Sequence, residues 1–219
     1  MEIQHVIGVA GLPRSGKGTV IKILKTIFGE SAHILSSSAI LEGLLKDLGV
    51  PNPADRSAKQ RGFIELARRF GNEWLLTALI NQWNAGGKNI WIFDGVCMPW
   101  DTAYIQSHTQ STLFYISAPF ELRLKRARQA AARGEHMAKP DEIAITEEQF
   151  QKLHEHETTR HIKEFQSLPN VAVLENTGTI RNLGSQITTA LVNTQMIQPD
   201  TLVPCRAALE ELYKQFESQ

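Results

Sequence analysis

A chain of 219 residues, 42% of them hydrophobic, is long enough to bury most of its apolar surface around one core of the α/β kind. Its 23 basic and 23 acidic residues give a formal net charge of +0, which excludes a global field drawing it to nucleic acid or an anionic membrane. No apolar run approaches the ~18 residues of a membrane span, and the two cysteines, Cys97 and Cys205, form no C-x-x-C pair, which suits a reducing cytoplasm without structural zinc or disulfide.

The opening residues, MEIQHVIGVAG, carry an acid and enter a strand at once, so neither a signal peptide nor a transit peptide is expected. Residues 6–10 form an apolar strand that runs into Gly11, and four residues later come Gly16 and Lys17. Val20, Ile21, Ile23, Leu24 and Ile27 then take up helical spacing, and Gly29 ends that helix. Strand, glycine-rich loop and helix together make an anion cradle, because successive backbone N–H groups and the positive end of the helix dipole converge on one concavity. The G-x-x-x-x-G-K match predicts that Gly11, Pro13, Arg14, Ser15, Gly16, Lys17, Gly18 and Thr19 bind ATP, with Lys17 reaching the β- and γ-phosphates. The hydroxyl expected straight after the lysine is displaced by one place, because Gly18 precedes Thr19.

Residues 33–35 make a second strand ending in Ser36, Ser37 and Ser38. Helices are predicted over 39–48, from 54 or 57 to 70, and over 73–84, separated by the Pro51-Asn52-Pro53 turn and by Gly71, with Asn72 able to cap the third. A buried strand over 90–93 ends at Asp94-Gly95, at the carboxyl edge of the sheet where open α/β folds bind ligands. A short helix over 101–107, a strand over 112–116 and a helix from Pro119 to about residue 132 follow. Thr146 and Gln149 form a capping box opening a polar helix to about Phe165. A last strand over 171–174, a helix over 180–192 and an amphipathic helix over 205–216 complete the chain. Five strands alternating with helices predict a five-stranded parallel sheet with helices on both faces, and right-handed crossovers gather the loops on one edge.

Phosphoryl transfer needs positioning and charge neutralisation more than covalent help. Asp94 is placed to hold Mg²⁺ through water or to orient an acceptor, with Thr19 as a second candidate for the magnesium shell. Arg123, Arg126, Arg128 and Arg133 flank a break at 133–136, and as a group they read as a lid over a triphosphate, Arg126 and Arg133 lying two turns apart on one helical face. Arg56, Arg61, Arg68 and Arg69 fall in the helical insertion between the second and third strands, where an acceptor phosphate would be clamped. His154, His156 and His161 lie on a helix read as polar all round, hence a solvated face rather than a metal site. Cys97 has no base beside it in sequence and reads as a small buried or half-buried residue, while Trp74, Trp83, Trp91 and Trp100 read as core or cleft wall.

The order GKGT resembles the loop of adenylate kinase and other nucleoside monophosphate kinases. More widely, GLPRSGKGT, ELARRFGNEWL at 65–75, IFDGV at 92–96, APFELRLKRARQ at 118–129, TEEQF at 146–150 and ENTGT at 175–179 occur in the order of a nucleoside monophosphate kinase-like P-loop kinase. The pattern is similar to dephospho-CoA kinase-like and deoxynucleoside monophosphate kinase-like members, over residues 6–183. The resemblance implies ATP-dependent phosphorylation of a small nucleotide-like acceptor, catalytic or ATP-side roles for Lys17, Asp94, Arg126 and Arg133, and adenine contacts near Asn176 and Gly178. It also implies that Ser38, Arg56, Arg68, Arg69 and Asp94 face the acceptor. A kinase domain over 1–193 would carry an acceptor insertion at about 38–71 and a lid at about 126–146, with 194–219 a helical extension. Arg14 stands where adenylate kinases carry glycine, and Cys97 where the related DGxR pattern has a basic residue. If that basic residue normally touches the acceptor phosphate, the acceptor here differs or binds more weakly.

The expected function is therefore a cytoplasmic small-molecule kinase using ATP and Mg²⁺, with no nucleic-acid or membrane partner. The alternative is a nucleotide-dependent regulatory ATPase that docks a macromolecule through its C-terminal helix. A kinase acting on polynucleotide ends is disfavoured by the neutral charge and the lack of a basic, aromatic stripe.

Overall fold

The apolar runs of the sequence become five strands in the computed structural model, which describes residues 5–84, 89–132, 145–156 and 159–218. They are β1 (His5–Ala10), β2 (Ala32–Ser36), β3 (Ile90–Val96), β4 (Ser111–Ser117) and β5 (Val171–Glu175), all paired in parallel in the order β2-β3-β1-β4-β5. The first strand is thus central, and the loop after it opens where the winding direction reverses, the position at which such sheets bind ligands.

Alternation within the strands sorts side chains into two layers. Val6, Ala10, Leu35, Trp91, Phe93, Leu113 and Tyr115 face one way, packing on α2 (Ser37–Asp47), α3 (Arg56–Phe70), α4 (Trp74–Asn84) and α5 (Pro99–Gln106). Ile7, Val9, Ile92, Phe114, Ile116 and Leu174 face the other way, onto α1 (Lys17–Phe28), α8 (Ile180–Asn193) and α9 (Arg206–Glu217). Each side chain of this size that is fully buried contributes roughly 1.5–3 kcal/mol. The helices form because their apolar residues recur on one face: Val20, Ile23, Leu24 and Ile27 in α1, and Leu183, Ile187 and Leu191 in α8.

Two boundaries move for identifiable reasons. Helix α2 starts at Ser37 rather than Ala39, because Ser36 acts as its cap and its Oγ accepts from the Ala39 N–H at 3.3 Å. Helix α5 starts at Pro99, with the Asp101 carboxylate accepting from the Cys97 and Met98 N–H groups at 3.2 and 3.0 Å.

The polar helix expected over 146–165 is a larger correction. Thr146 and Gln149 do form the reciprocal capping box, but α7 (Glu147–Glu155) ends there, and the chain resumes as a turn and a short 3-10 helix, Ile162–Ser167. The reason lies in where the apolar residues go. Phe150 packs in a small cluster with Leu124 and Ala127 of α6 (Phe120–Ala132), whereas Ile162 and Phe165 are buried in the main core beneath the sheet. One straight helix could not serve both. The expected helix stop at Gly86 and Gly87, the break at 133–136 and the lid beyond residue 132 lie outside the described residues, as does the side chain of Trp83. Among the described residues no helix is long and apolar enough to cross a membrane.

Candidate active site

The loop between β1 and α1 is held in its shape by left-handed backbone at three points: Gly11 (φ 151°), Arg14 (φ 62°) and Gly16 (φ 106°). At Gly11 an added Cβ would lie 2.6 Å from Ser15 Oγ and 2.8 Å from the Ile116 carbonyl oxygen, and at Gly16 it would collide with Asn176 Nδ2. Glycine is therefore dictated at both places by backbone and by space. Gly18 differs, since a Cβ there meets nothing within 4 Å. Lys17 folds back over the loop, its ammonium donating to the Gly11 and Leu12 carbonyls at 2.7 and 3.2 Å. Ser15 Oγ is buried with no hydrogen-bond partner among the described residues. Thr19 lies half-buried in the first turn of α1.

Residues distant in sequence fix this loop from the β4 and β5 side. Asn176 Nδ2 donates to the Ser15 carbonyl at 2.7 Å, and its own N–H donates to the Ser117 carbonyl at 2.8 Å. Arg126 of α6 donates to the same Ser15 carbonyl at 3.3 Å and to the Asn176 carbonyl at 3.0 Å. Burial lowers its pKa from the ordinary arginine value, yet it remains a cation beside the loop. Gly178 is exposed in the turn beyond Asn176. Arg133 lies outside the described residues.

Sequence reading gave Arg123 only a place in the lid cluster, and the structure places it at the root of that segment. It is 4% exposed. It donates to the Ala118 and Pro13 carbonyls at 3.0 and 3.3 Å and to His154 Nε2 at 2.6 Å, with Phe120 and Phe150 each 5.7 Å from the guanidinium. His154, 6% exposed, is consequently not part of a solvated face. The helix-facing spacing of Phe150 and His154, four residues apart, was the available signal.

Asp94 lies at a bulge in β3, where Val9 pairs with Asp94 but Ala10 pairs with Val96, leaving Gly95 as the extra residue. Burial raises its carboxyl pKa, with the Lys17 charge opposing that shift. Its carboxylate makes no hydrogen bond among the described residues, and with Thr19 it offers hard oxygen donors of the kind that hold Mg²⁺ together with waters and phosphates. Beside it opens a cavity of about 200 Å³. The floor is formed by Gly11, Pro13 and Lys17, and the walls by Leu41, Phe63, Leu75, Val96 and Ile162. Ser37, Ser38, Lys59 and Gln60 supply its polar side. Lys59, missed in the sequence, donates to Ser38 Oγ at 2.9 Å and to the Glu42 carboxylate at 2.5 Å.

Arg68 and Arg69 of the insertion are not brought to this cavity. Arg68 and Arg69, 75% and 65% exposed in their side chains, pair with Glu65 on the outer face of α3. Lys59, Gln60 and Phe63 occupy the inner face because α3 turns its apolar stripe toward α2 and the sheet. Arg56 opens α3, and its side chain lies outside the described residues. Cys97 also lines the cavity, with its thiol pKa pushed up by burial and secondarily by Asp101, so it is no thiolate nucleophile.

The central strand, the glycine-bounded loop with its lysine, and the strand-end aspartate define a P-loop α/β fold. No protein-family model matches the chain, and no curated protein matches its sequence. Solved structures do match in shape. TT1252 from Thermus thermophilus superposes with a TM-score of 0.58 at 17% identity, over 88% of this chain and 98% of that one. Deoxyadenosine kinase from M. mycoides gives 0.51 at 13%, covering 86% and 99%. Shikimate kinase from Aquifex aeolicus gives 0.50 at 16%, covering 87% and 98%. At such identities the likeness carries the fold alone: a five-stranded parallel P-loop α/β architecture.

Proposed function

We propose that this chain is a small-molecule kinase of the cytoplasm that transfers the γ-phosphoryl group of ATP to an acceptor in the cavity beside Asp94. The observation that carries the reading is the continuity of the loop with that cavity: Gly11, Pro13 and Lys17 line both. A triphosphate seated on the loop amides would point its terminal phosphate at whatever fills the cavity, which is the proximity that phosphoryl transfer requires. Lys17 leaves the loop carbonyls for the phosphate oxygens, and Arg126 adds positive charge from α6. Thr19 and Asp94 would hold Mg²⁺, which would supply neutralisation of the phosphate charge. Arg133, Gly178 and the lid keep the ATP-side roles implied by the motif order, and Ser38 and Arg56 the acceptor-side ones. Two of the solved neighbours are by name kinases of deoxyadenosine and of shikimate, which agrees with a small acceptor. The motif order suggests a nucleotide-like one.

In this reading residues 1–193 form the kinase unit and 194–219 brace it. Leu209 and Tyr213 of α9 are buried, and Arg181 of α8 pairs with Glu210 and Glu217 at 2.6 and 2.9 Å. The apolar face that a docking helix would need is thereby taken up, which disfavours the regulatory ATPase. The test is incubation with ATP, Mg²⁺ and a panel of nucleosides, nucleoside monophosphates and dephospho-CoA. Transfer that disappears in Lys17→Ala supports the kinase; hydrolysis unaffected by every acceptor removes it.

A further inference from the structure

The acceptor cavity has a charge balance at odds with a phosphorylated ligand. A phosphate that leaves water for a cavity must find fixed cations, since burying uncompensated charge is costly. Among the described side chains the lining contains two cations, Lys17 and Lys59. Lys17 belongs to the nucleotide loop, and Lys59 is already bound to the Glu42 carboxylate and to Ser38 Oγ. Arg68 and Arg69 are turned outward onto Glu65, and Arg56, whose side chain lies outside the described residues, is not counted. The Asp94 carboxylate, one residue before the lining Gly95, offsets part of the Lys17 charge.

What the cavity does offer is an apolar wall of Leu41, Phe63, Leu75, Val96 and Ile162, with small hydrogen-bonding groups at its ends. Ser38 Oγ accepts from Lys59 and so keeps its own proton to donate, and Gln60 carries both a donor and an acceptor. Asp94 accepts.

We propose that this cavity takes a neutral, hydroxyl-bearing compound with an apolar body, and not a phosphorylated one. The proposal rests on the kinase reading for its identification of the cavity as the acceptor site, and it narrows the receiving group to an alcohol. The hydroxyl oxygen attacks the γ-phosphorus of ATP and a new O–P bond forms. The bond from that phosphorus to the β–γ bridging oxygen breaks, and its electron pair leaves with ADP. The hydroxyl proton passes to Asp94 and then to water.

The test is calorimetric titration of the full chain, without ATP, using nucleosides, simple aromatic alcohols and the same nucleosides as 5′-monophosphates. Neutral members are expected to bind at least about tenfold more tightly than their monophosphates. Equal or reversed preference, or no binding by either set, overturns the proposal. Glu42→Gln, checked for folding by thermal melting, releases the Lys59 charge and is expected to improve monophosphate binding by about tenfold while leaving neutral ligands little changed. No gain in that variant also overturns it. Preferential binding of neutral compounds without phosphoryl transfer would uphold the assignment of the cavity and remove the kinase reading, so the two fail separately.

Discussion

Arg123 Nη1 stands 2.6 Å from His154 Nε2, a contact between two buried groups that also share the faces of Phe120 and Phe150. A guanidinium can only donate, so Nε2 accepts and His154 is the neutral tautomer with its proton on Nδ1. The same Nη1 donates to the Pro13 carbonyl, which joins α6, α7 and the phosphate loop in one arrangement. His154→Ala leaves the guanidinium short of an acceptor and is expected to cost about 1–3 kcal/mol in urea unfolding. His154→Gln, which can still accept, recovers part of that. Because the loop loses an anchor at Pro13, ATP affinity should fall with stability; unchanged ATP binding in a destabilised His154→Ala protein would deny the coupling.

The glycines of the loop should separate sharply on substitution. Gly16→Ala forces a Cβ into Asn176 Nδ2 at a φ of 106°, so it breaks the Asn176 bond to the Ser15 carbonyl and strains the backbone. A loss of about 1–3 kcal/mol and of nucleotide binding is expected. Gly18→Ala meets open space in the first turn of α1, and removing glycine there is worth up to about 1 kcal/mol in helix stability. The comparison is read by thermal melting with and without ATP. Equal damage from both variants would contradict the steric account.

Much of this was legible in the sequence because local chemistry and fold agree. The loop carries its own glycines and lysine, the five strands are apolar runs alternating in and out, and Thr146 with Gln149 announces the start of α7. What failed to show were rotations and long-range partners. Arg68, Arg69 and Lys59 are equally basic in the sequence, and only the packing of α3 against α2 decides that Lys59 faces the cavity. His154 looked solvated because its neighbours Glu155 and His156 are polar, while its partner Arg123 lies 31 residues away. Cys97 in place of a basic residue was the sequence's hint of a different acceptor, and the cavity bears on that same point.

Asp94→Asn keeps the size of the side chain but removes the carboxylate that would hold an acceptor proton. Transfer is expected to fall by about 10²–10⁴, and because Asp94 is also placed to hold Mg²⁺, affinity for MgATP should fall with it while affinity for ATP without Mg²⁺ changes little. In the parent protein, burial raises the Asp94 pKa, so activity should drop as pH falls through that raised value, above where an exposed aspartate would titrate. Initial rates across pH, for parent and variant, measure both. An acid limb identical in Asp94→Asn would assign the titration to another group.

Asp101 makes a separate prediction about stability. Its carboxyl is buried beneath the start of α5, and burial pushes its pKa from 3.8 up to about 6 despite hydrogen bonds from the Met98 and Cys97 N–H groups that pull the other way. A raised folded-state pKa means that the native protein holds this proton after the unfolded chain has released it. The contribution to stability is therefore full below the unfolded value of 3.8 and is lost as pH rises through about 6. The interval corresponds to about 3 kcal/mol between the two protonation states. Asp101→Asn cannot titrate, yet its side-chain oxygen still accepts from the Cys97–Met98 turn that borders the cavity. Urea unfolding at several pH values should show the variant gaining on the parent by up to about 3 kcal/mol between about pH 4 and about pH 7. A difference that stays constant across that range would mean that Asp101 is ionised throughout it in the folded protein, and that its two N–H partners outweigh the cost of burial.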